Sequence, residues 1–390
     1  MYFDIDYVRD ETPGCKNVLH FDNAGAALMP RTVIEAVNNY FALEVAIGGY
    51  PAAEKENDKI ESFYKAASKL INASENEIAY IESATRAWEM FFYSLNFKAG
   101  DKIITSQAEY ASNFIAFLQV SKKTGVIIEV IGNDDVGQVS LDELEKKIDS
   151  KVKLIAITHV PTQGGLVNPA IEIGKIAKKH NVLYLLDTTQ SIGQMPIDVK
   201  KIGCDALCAT GRKYLRGPRG TGFLYVKESV LETLDPPSLD LQAATWTSVD
   251  SFSLKPDAKR FETWERNCGN MLGLKAAIEY AMALDPNVTW HRVRYLGELF
   301  RAKLDSVKGV EVRDLGDVKC GIVTFTTDFK SPEEIKQRLR DKKINVSVSF
   351  AEYARLDFDP RHIKSLVRAS VHYYNTVDEI DEFCDTLRSL

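Results

Sequence analysis

The stretch VKLIAITHVPTQGGLVNPAIEIGKIAKKHNVLYLLDTTQ, residues 152–190, decides the fold. It opens on a near-continuous run of β-branched and leucine residues, passes through the helix-like PAIEIGKIAKKH, and returns to a second apolar run, VLYLLD. Runs that are apolar at every position are strands buried on both faces, and an intervening amphipathic helix reads as a crossover in a mostly parallel sheet. The alternation extends outward from about residue 78 to 226. EIAYIE precedes ATRAWEMFFYSL, DKIITS precedes SNFIAFLQVSKKTG, and VIIEVI precedes SLDELEKKI; beyond the central unit come DALCAT and GTGFLYV. The fold class is therefore α/β. In such sheets ligands sit beyond the carboxyl ends of the strands, so the residues that follow each strand carry the functional reading.

After about residue 255 the pattern changes to separate strands and helices (CGIVTFTT, SPEEIKQRLRDKK, INVSVSF, LVRASVHYY), an α+β style expected of a smaller second domain. The expected division is an N-terminal segment 1–20 packing with the small domain, a large domain 21–260 and a small C-terminal domain 261–390. A chain of 390 residues is long for one core, which agrees with two domains. Its net charge of −6 argues against nucleic acid or a membrane surface as partner. The start lacks a basic region followed by an apolar one, and no apolar run reaches the ~20 residues that span a bilayer. Six scattered cysteines without a CxxC fit a reducing cytoplasm. The histidines form no HxxxH or HExxH pair, so no metal site is expected. Cys204 and Cys208 flank a strand-like segment and read as buried packing, as do Trp88, Met90, Phe91 and Phe92 on one helix face.

Several strands end on polar residues. Asp187 closes VLYLLD, Lys213 follows DALCAT past Gly211, Ser83-Ala84-Thr85 follows EIAYIE, Glu109-Tyr110 follows DKIITS, and Pro161 to Gly165 follows LIAITHV. Each alone has an ordinary reading: a helix cap, a solvated lysine, a turn. Together they supply the parts that pyridoxal phosphate chemistry requires. These are a lysine for the Schiff base, a carboxylate to keep the ring nitrogen protonated, a helix N-terminus for the phosphate, and an aromatic side chain over the ring.

In HFDNAGAALMP (20–30), ESATRAW (82–88), AEYASN (108–113), THVPTQGGLVNP (158–169), LLDTTQSIGQMPIDV (185–199), TGRKYLRGPRGTGFLY (210–225), RFE (260–262) and VRASVHYYNTVDEID (367–381), the chain resembles the class V aminotransferase and cysteine desulfurase family of fold-type I pyridoxal phosphate enzymes. Within it, the chain looks nearest to C–S lyases of the ergothioneine sulfoxide type. The resemblance implies a three-layer αβα large domain with a small α+β domain, pyridoxal 5'-phosphate as cofactor, and an amino-acid substrate. It implies that Lys213 forms the Schiff base, Asp187 pairs with the ring nitrogen, and Gln190 and Thr162 lie by the ring hydroxyl. Ser83, Ala84, Thr85, Thr210 and Arg212 would surround the phosphate, and Tyr110 falls where many members stack a histidine. Arg368 would bind the substrate carboxylate through a bidentate pair, with Asn23 and Ala24 beside it.

Two departures matter. Members complete the phosphate site from a neighbouring subunit with a segment that often reads RFE-x-GTP; here it reads RFETWERNCG. A homodimer is expected, with Arg266 the substitute donor and Glu265 pointing away or paired with a cation. Desulfurases also carry a mobile cysteine ahead of the C-terminal arginine, whereas residues 344–370 contain none. The expected activity is accordingly β-elimination of a C–S bond, with Tyr110 as general acid to the leaving group. Transamination or epimerisation is the alternative, and a selenocysteine lyase or cysteine desulfurase is disfavoured. A non-catalytic protein of this fold could lose Asp187, Lys213 or Arg368, yet all three are present.

Overall fold

The computed structural model describes residues 3–390. A first short strand, β1 (Leu19–His20), precedes the strands of the large sheet: β2 (Ile78–Ile81), β3 (Lys102–Ser106), β4 (Ile127–Ile131), β5 (Val152–Thr158), β6 (Leu183–Asp187), β7 (Ala206–Thr210) and β8 (Gly222–Val226). They form one seven-stranded sheet in the order β2-β8-β7-β6-β5-β3-β4. Only β8 runs against its neighbours, as the short return from β7 without a crossover helix requires. Strands β6, β7 and β8 are buried almost throughout, which is why they read as unbroken apolar runs rather than alternating ones.

Helices cover both faces. The helix Ala84–Phe92 packs one face through Ala87, Trp88, Phe91 and Phe92, all buried, and Trp88 meets Phe92 with ring centroids 4.6 Å apart. Each such ring taken from water contributes about 1.5–3 kcal/mol. On the other face the helices Asn57–Ile71, Ala170–His180 and Cys268–Ala283 share one core with Ile155, Tyr184 and Leu207 of the sheet.

A hairpin, β9 (Ala244–Ser248) and β10 (Ser251–Leu254), projects before the second unit. That unit carries β11 (Val310–Val312), β12 (Ile322–Thr327), the short β13 (Ile344–Asn345), β14 (Ser347–Phe350) and β15 (Ser365–Ser370). Its four-stranded antiparallel sheet has the order β11-β12-β15-β14, with its own core of Phe300, Phe325, Val367 and Phe383. β1 pairs in parallel with β13, and Arg9 meets Glu379 at 2.7 Å, so Arg9 and β1 lie against this unit. The helix Cys268–Ala283 follows residue 261 in sequence but packs into the large sheet's core through Met271, Leu274 and Ile278.

The units are tied where the site lies. Asp314 accepts from Arg301 Nε at 2.6 Å, from Thr324 Oγ1 at 2.5 Å and from Gly165 N at 3.2 Å, which clamps the loop after β5 onto the small sheet. Among the described residues no helix is long and apolar enough to cross a membrane.

Candidate active site

The carboxyl ends of β2, β5, β6 and β7, with the segment that follows β3, open into one cleft. Its walls carry Ser83, Ala84, Thr85, Tyr110, Thr162, Asp187, Gln190, Thr210, Arg212 and Lys213. Ten residues expected from the sequence are thus brought to one surface, because each closes or follows a strand of the same sheet.

Asp187 is the last residue of β6 and is 5% exposed. Thr189 N donates to Oδ1 at 2.9 Å and Asn113 Nδ2 to Oδ2 at 3.1 Å, so the carboxylate is oriented before any ligand meets it. Lys213 is 7% exposed, and burial, reinforced by the charges of Arg212 and Arg368, pushes its amine down to about 7. An amine held there is available as a nucleophile and base at neutral pH.

The lysine turn is fixed from beneath. Arg216 N donates to Lys213 O at 2.8 Å, and Arg216 is fully buried in a left-handed conformation, φ 63°. Its guanidinium donates to Leu28 O at 2.7 Å, Thr12 Oγ1 at 2.5 Å and the Tyr373 hydroxyl at 3.1 Å, and lies 4.7 Å from the Tyr374 ring centroid. Gly193, φ 87°, lets the chain pass against this turn, because a Cβ there would lie 2.4 Å from Tyr214 C.

Ser83 caps the helix Ala84–Phe92 by accepting from Arg86 N at 3.2 Å. The amides of Ala84 and Thr85 stand at the mouth of the helix, where an anion is favoured. Thr210 and Arg212 complete that corner. Thr189 Oγ1 and Gln190 Oε1 are buried without a partner although both residues line the cleft. Orphaned polar atoms beside an anion corner and a lowered amine fit a polar, phosphorylated aldehyde such as pyridoxal phosphate.

Arg368 of the small unit reaches the cleft through Thr162 without itself lining it. Arg368, on β15, donates to Thr162 Oγ1 at 2.9 Å, Thr162 O at 3.0 Å and Ser347 Oγ at 3.0 Å, and meets Asp22 Oδ1 at 3.3 Å. Gln190 Nε2 reaches the same Thr162 hydroxyl at 2.5 Å. The sequence reading missed Asp22, which lies within the HFDN stretch one position ahead of Asn23. Asn23 itself turns inward: its amide donates to His20 O and Ser370 O, and its oxygen accepts from the Tyr374 hydroxyl. Ala24 is buried, with its carbonyl taken by Gln190 and its amide by Ser370 Oγ. Neither residue lines the cleft.

Behind Asp187 stand groups given no role from the sequence. Asn113 also donates to Glu109 Oε1 at 2.9 Å, and Cys208 is the cross-strand neighbour of Asp187. Burial first, and the nearby carboxylates next, push the Cys208 thiol far up. Cys208 packs as expected, but it packs against the site.

Arg266 pairs with Glu262 at 3.0 Å and lies 3.3 Å from the Tyr64 hydroxyl, while Glu265 is exposed. Arg266 lines a groove with Phe41, Tyr50, Glu82 and Trp264.

Residues 19–383 match the class-V aminotransferase family. A probable cysteine desulfurase of Pyrococcus abyssi is 31% identical over 98% of this chain and 96% of its own length. Another probable cysteine desulfurase, of Methanothermobacter thermautotrophicus, is 29% identical over 98% of this chain and 97% of its own. The apo structure of a cysteine desulfurase from Thermococcus onnurineus superposes with a TM-score of 0.92 at 29% identity, covering 100% of this chain and 98% of that one. With a fold-type I architecture and a cleft suited to a phosphorylated aldehyde, the chain belongs to the class-V aminotransferase family and is a pyridoxal 5'-phosphate-dependent lyase or transferase acting on an amino acid.

Proposed function

We propose that the protein is a C–S lyase that eliminates the sulfur group from a cysteine derivative. When bound, pyridoxal 5'-phosphate supplies an aldehyde carbon for amines to join and a ring that withdraws electrons from the substrate Cα. Lys213 holds the cofactor and, as a neutral amine, takes the Cα proton. Asp187 would pair with the ring nitrogen and keep it protonated. Ala84 and Thr85, at the helix end capped by Ser83, hold the phosphate together with Thr210 and Arg212. Thr162 and Gln190 orient the ring hydroxyl, and Arg368 receives the substrate carboxylate. Tyr110, which lines the cleft, would lie against the ring and could protonate the departing sulfur. The Cα–H and Cβ–S bonds break, the sulfur leaves as a thiol from a thioether or cysteine and as a sulfenic acid from a sulfoxide, and the remaining 2-aminoacrylate takes up water to give pyruvate and ammonia.

The observation that carries this reading is the absence of a thiol from the cleft wall among the described residues. The segment between β14 and β15, ordered through Ala351–Tyr353 and Arg355–Phe358, contains no cysteine. Cys320 and Cys384 are buried, and burial pushes both thiols up to about 11. A desulfurase needs a thiolate that can reach the substrate sulfur. The names of the relatives favour that second reading, so the experiment must separate the two. Supplied with cysteine and with cysteine sulfoxides, a lyase yields pyruvate and free sulfur products. Alanine together with a protein persulfide would establish the desulfurase instead, and accumulation of the pyridoxamine form of the cofactor an aminotransferase.

We also propose a homodimer that brings Arg266 of one subunit toward its partner's phosphate corner. Tyr50 is 82% exposed and Trp264 56% exposed on the groove that Arg266 lines, and the β9–β10 hairpin leaves Trp246 71% exposed. Apolar surface of this kind marks an interface. Sedimentation at micromolar concentration should give twice the chain mass; a monomer that retains the cofactor refutes the dimer.

A further inference from the structure

Glu109 is 4% exposed, at the start of the helix Ala111–Thr124 and behind the cleft rather than on it. Its carboxyl is surrounded by uncharged donors. Thr105 Oγ1 lies 2.9 Å from Oε2, while Thr158 Oγ1 at 2.5 Å, Tyr110 N at 2.7 Å and Asn113 Nδ2 at 2.9 Å converge on Oε1. Asn113 has two amide protons and uses the other on Asp187 Oδ2. Two carboxyl groups thus share one amide in a buried space. The titratable side chains facing Glu109 are Asp187 from β6 and Cys208 from β7; β3, β5 and the helix offer it hydroxyls and amides. Among the described residues no cation pairs with Glu109, and the nearest charge that acts on it is another carboxylate.

A buried carboxylate without a cation is costly, and a second one beside it raises the cost, so such a pair holds a proton between its members. The hydroxyls of Thr105 and Thr158 can rotate to accept from a neutral carboxyl or donate to an ionised one, which lets both states persist without breaking the network. We propose that Glu109 is a positioning residue of the reaction: a second carboxyl behind Asp187, joined to it through Asn113, that takes up or releases one proton and so sets the negative charge Asp187 presents to the cofactor's ring nitrogen. This rests on the reading of Asp187 given above.

Burial, reinforced by Asp187, pushes Glu109 up to about 7, against the opposing hydrogen bonds from Thr158 and Asn113. Below that value Glu109 is neutral. Above it a second negative charge appears behind Asp187, and the ring nitrogen is held protonated more firmly as the solution becomes more basic. The couple therefore opposes loss of the ring proton over the range in which an unassisted site would begin to lose it.

The test is pH-difference infrared spectroscopy on the full-length chain, with and without cofactor, prepared with carboxyl-labelled glutamate. The cofactor-free protein should show the band of a neutral buried glutamic acid that vanishes as pH rises through about 7, and Glu109→Gln should lack it at every pH. Asp187→Asn removes the like charge and should lower the midpoint by about one unit, tenfold in the ionisation constant. Thr158→Val removes a donor to the ionised form and should raise it. In the loaded enzyme, Glu109→Gln should let loss of the ring proton, read from the pH titration of cofactor absorbance, begin at lower pH than in the unmodified protein. Absence of the band in the unmodified chain overturns the proposal. A midpoint indifferent to both Asp187→Asn and Thr158→Val overturns the coupling; the role of Asp187 itself is judged separately, from turnover of Asp187→Ala.

Discussion

Along the cofactor wall each polar side chain stands at or just beyond the carboxyl end of a strand: Asp187 closes β6, Thr210 closes β7, and Ser83 follows β2. Along the substrate wall, Asp22, Thr162 and Arg368 come from three segments, and the contact between Asp22 and Arg368 spans 346 positions. The first wall inherits its geometry from the large sheet. The second exists only when the small unit, carrying β15, is seated on the loop after β5 through Asp314 and Gly165. Substitutions on the first wall should therefore act on the chemical step, and those on the second on binding.

The largest effect is expected at Lys213. Lys213→Met should abolish turnover, because no other amine lines the cleft among the described residues; residual activity with a reducible cofactor adduct elsewhere would break the assignment. The same substitution has a thermodynamic signature. The folded chain holds this amine at about 7 against 10.5 when unperturbed, so between those values the unfolded state binds one more proton. Stability of the cofactor-free protein should rise with pH across that window, by up to about 1.4 kcal/mol per unit from this group, and the contribution is least favourable below it. Urea unfolding on both sides of the window should show a shallower slope in Lys213→Met than in the unmodified protein.

Asp187→Ala comes next. It should lower kcat by about 100-fold or more, since a charge aimed at the developing electron density is lost. It also strands Asn113 Nδ2 and Thr189 N, which donate to that carboxylate, at a cost of about 1–3 kcal/mol for each buried donor left unmade. Near-normal turnover would dissolve the distinction between the walls.

How much of this was legible follows the same division. The run of strands, the residues at their ends and the cofactor lysine were readable, because a strand end is a local event within a few residues of an apolar run. Arg216 was not: it sits in a stretch with two other arginines, and only packing against Tyr373 and Tyr374 turns it from a surface cation into a buried tie. Asn23 misled for the converse reason. Its place in the HFDN stretch implied the cleft, but the amide is consumed by Ser370 O, 347 positions away. Glu109 and Asn113 lie close together in AEYASN, Glu109 just ahead of the helix cap Tyr110 and Asn113 in the first turn, so their hydrogen bond is a local one. That local signal went unused because the stacking position, Tyr110, explained the motif. The helix Cys268–Ala283 was expected with the small domain because it follows the change in sequence style, yet its buried face answers to the large sheet.

On the substrate wall, Arg368→Lys should act mainly through KM. A lysine keeps the charge but loses the planar fork that spans Thr162, Ser347 and Asp22. Forfeiting a charged hydrogen bond worth about 1.5–3 kcal/mol corresponds to a rise in KM of about 10- to 150-fold. A loss confined to kcat would place the substrate carboxylate elsewhere.

The smallest effect, and the sharpest for the comparison, is expected at Asp22. Its carboxylate meets the Arg368 guanidinium at 3.3 Å with side chains 30% and 11% exposed. In the free enzyme it therefore occupies part of the group that a substrate carboxylate must engage. Asp22→Asn keeps the size and an accepting oxygen but removes the competing charge. A partly exposed pair of this kind contributes at most about 1 kcal/mol, so KM should fall by no more than about fivefold while kcat stays within twofold, and the difference should shrink as salt rises. If KM instead rises and kcat is unchanged, Asp22 orients the guanidinium rather than competing for it. If kcat falls with KM constant, the residue acts on the reacting atoms and belongs with the cofactor wall.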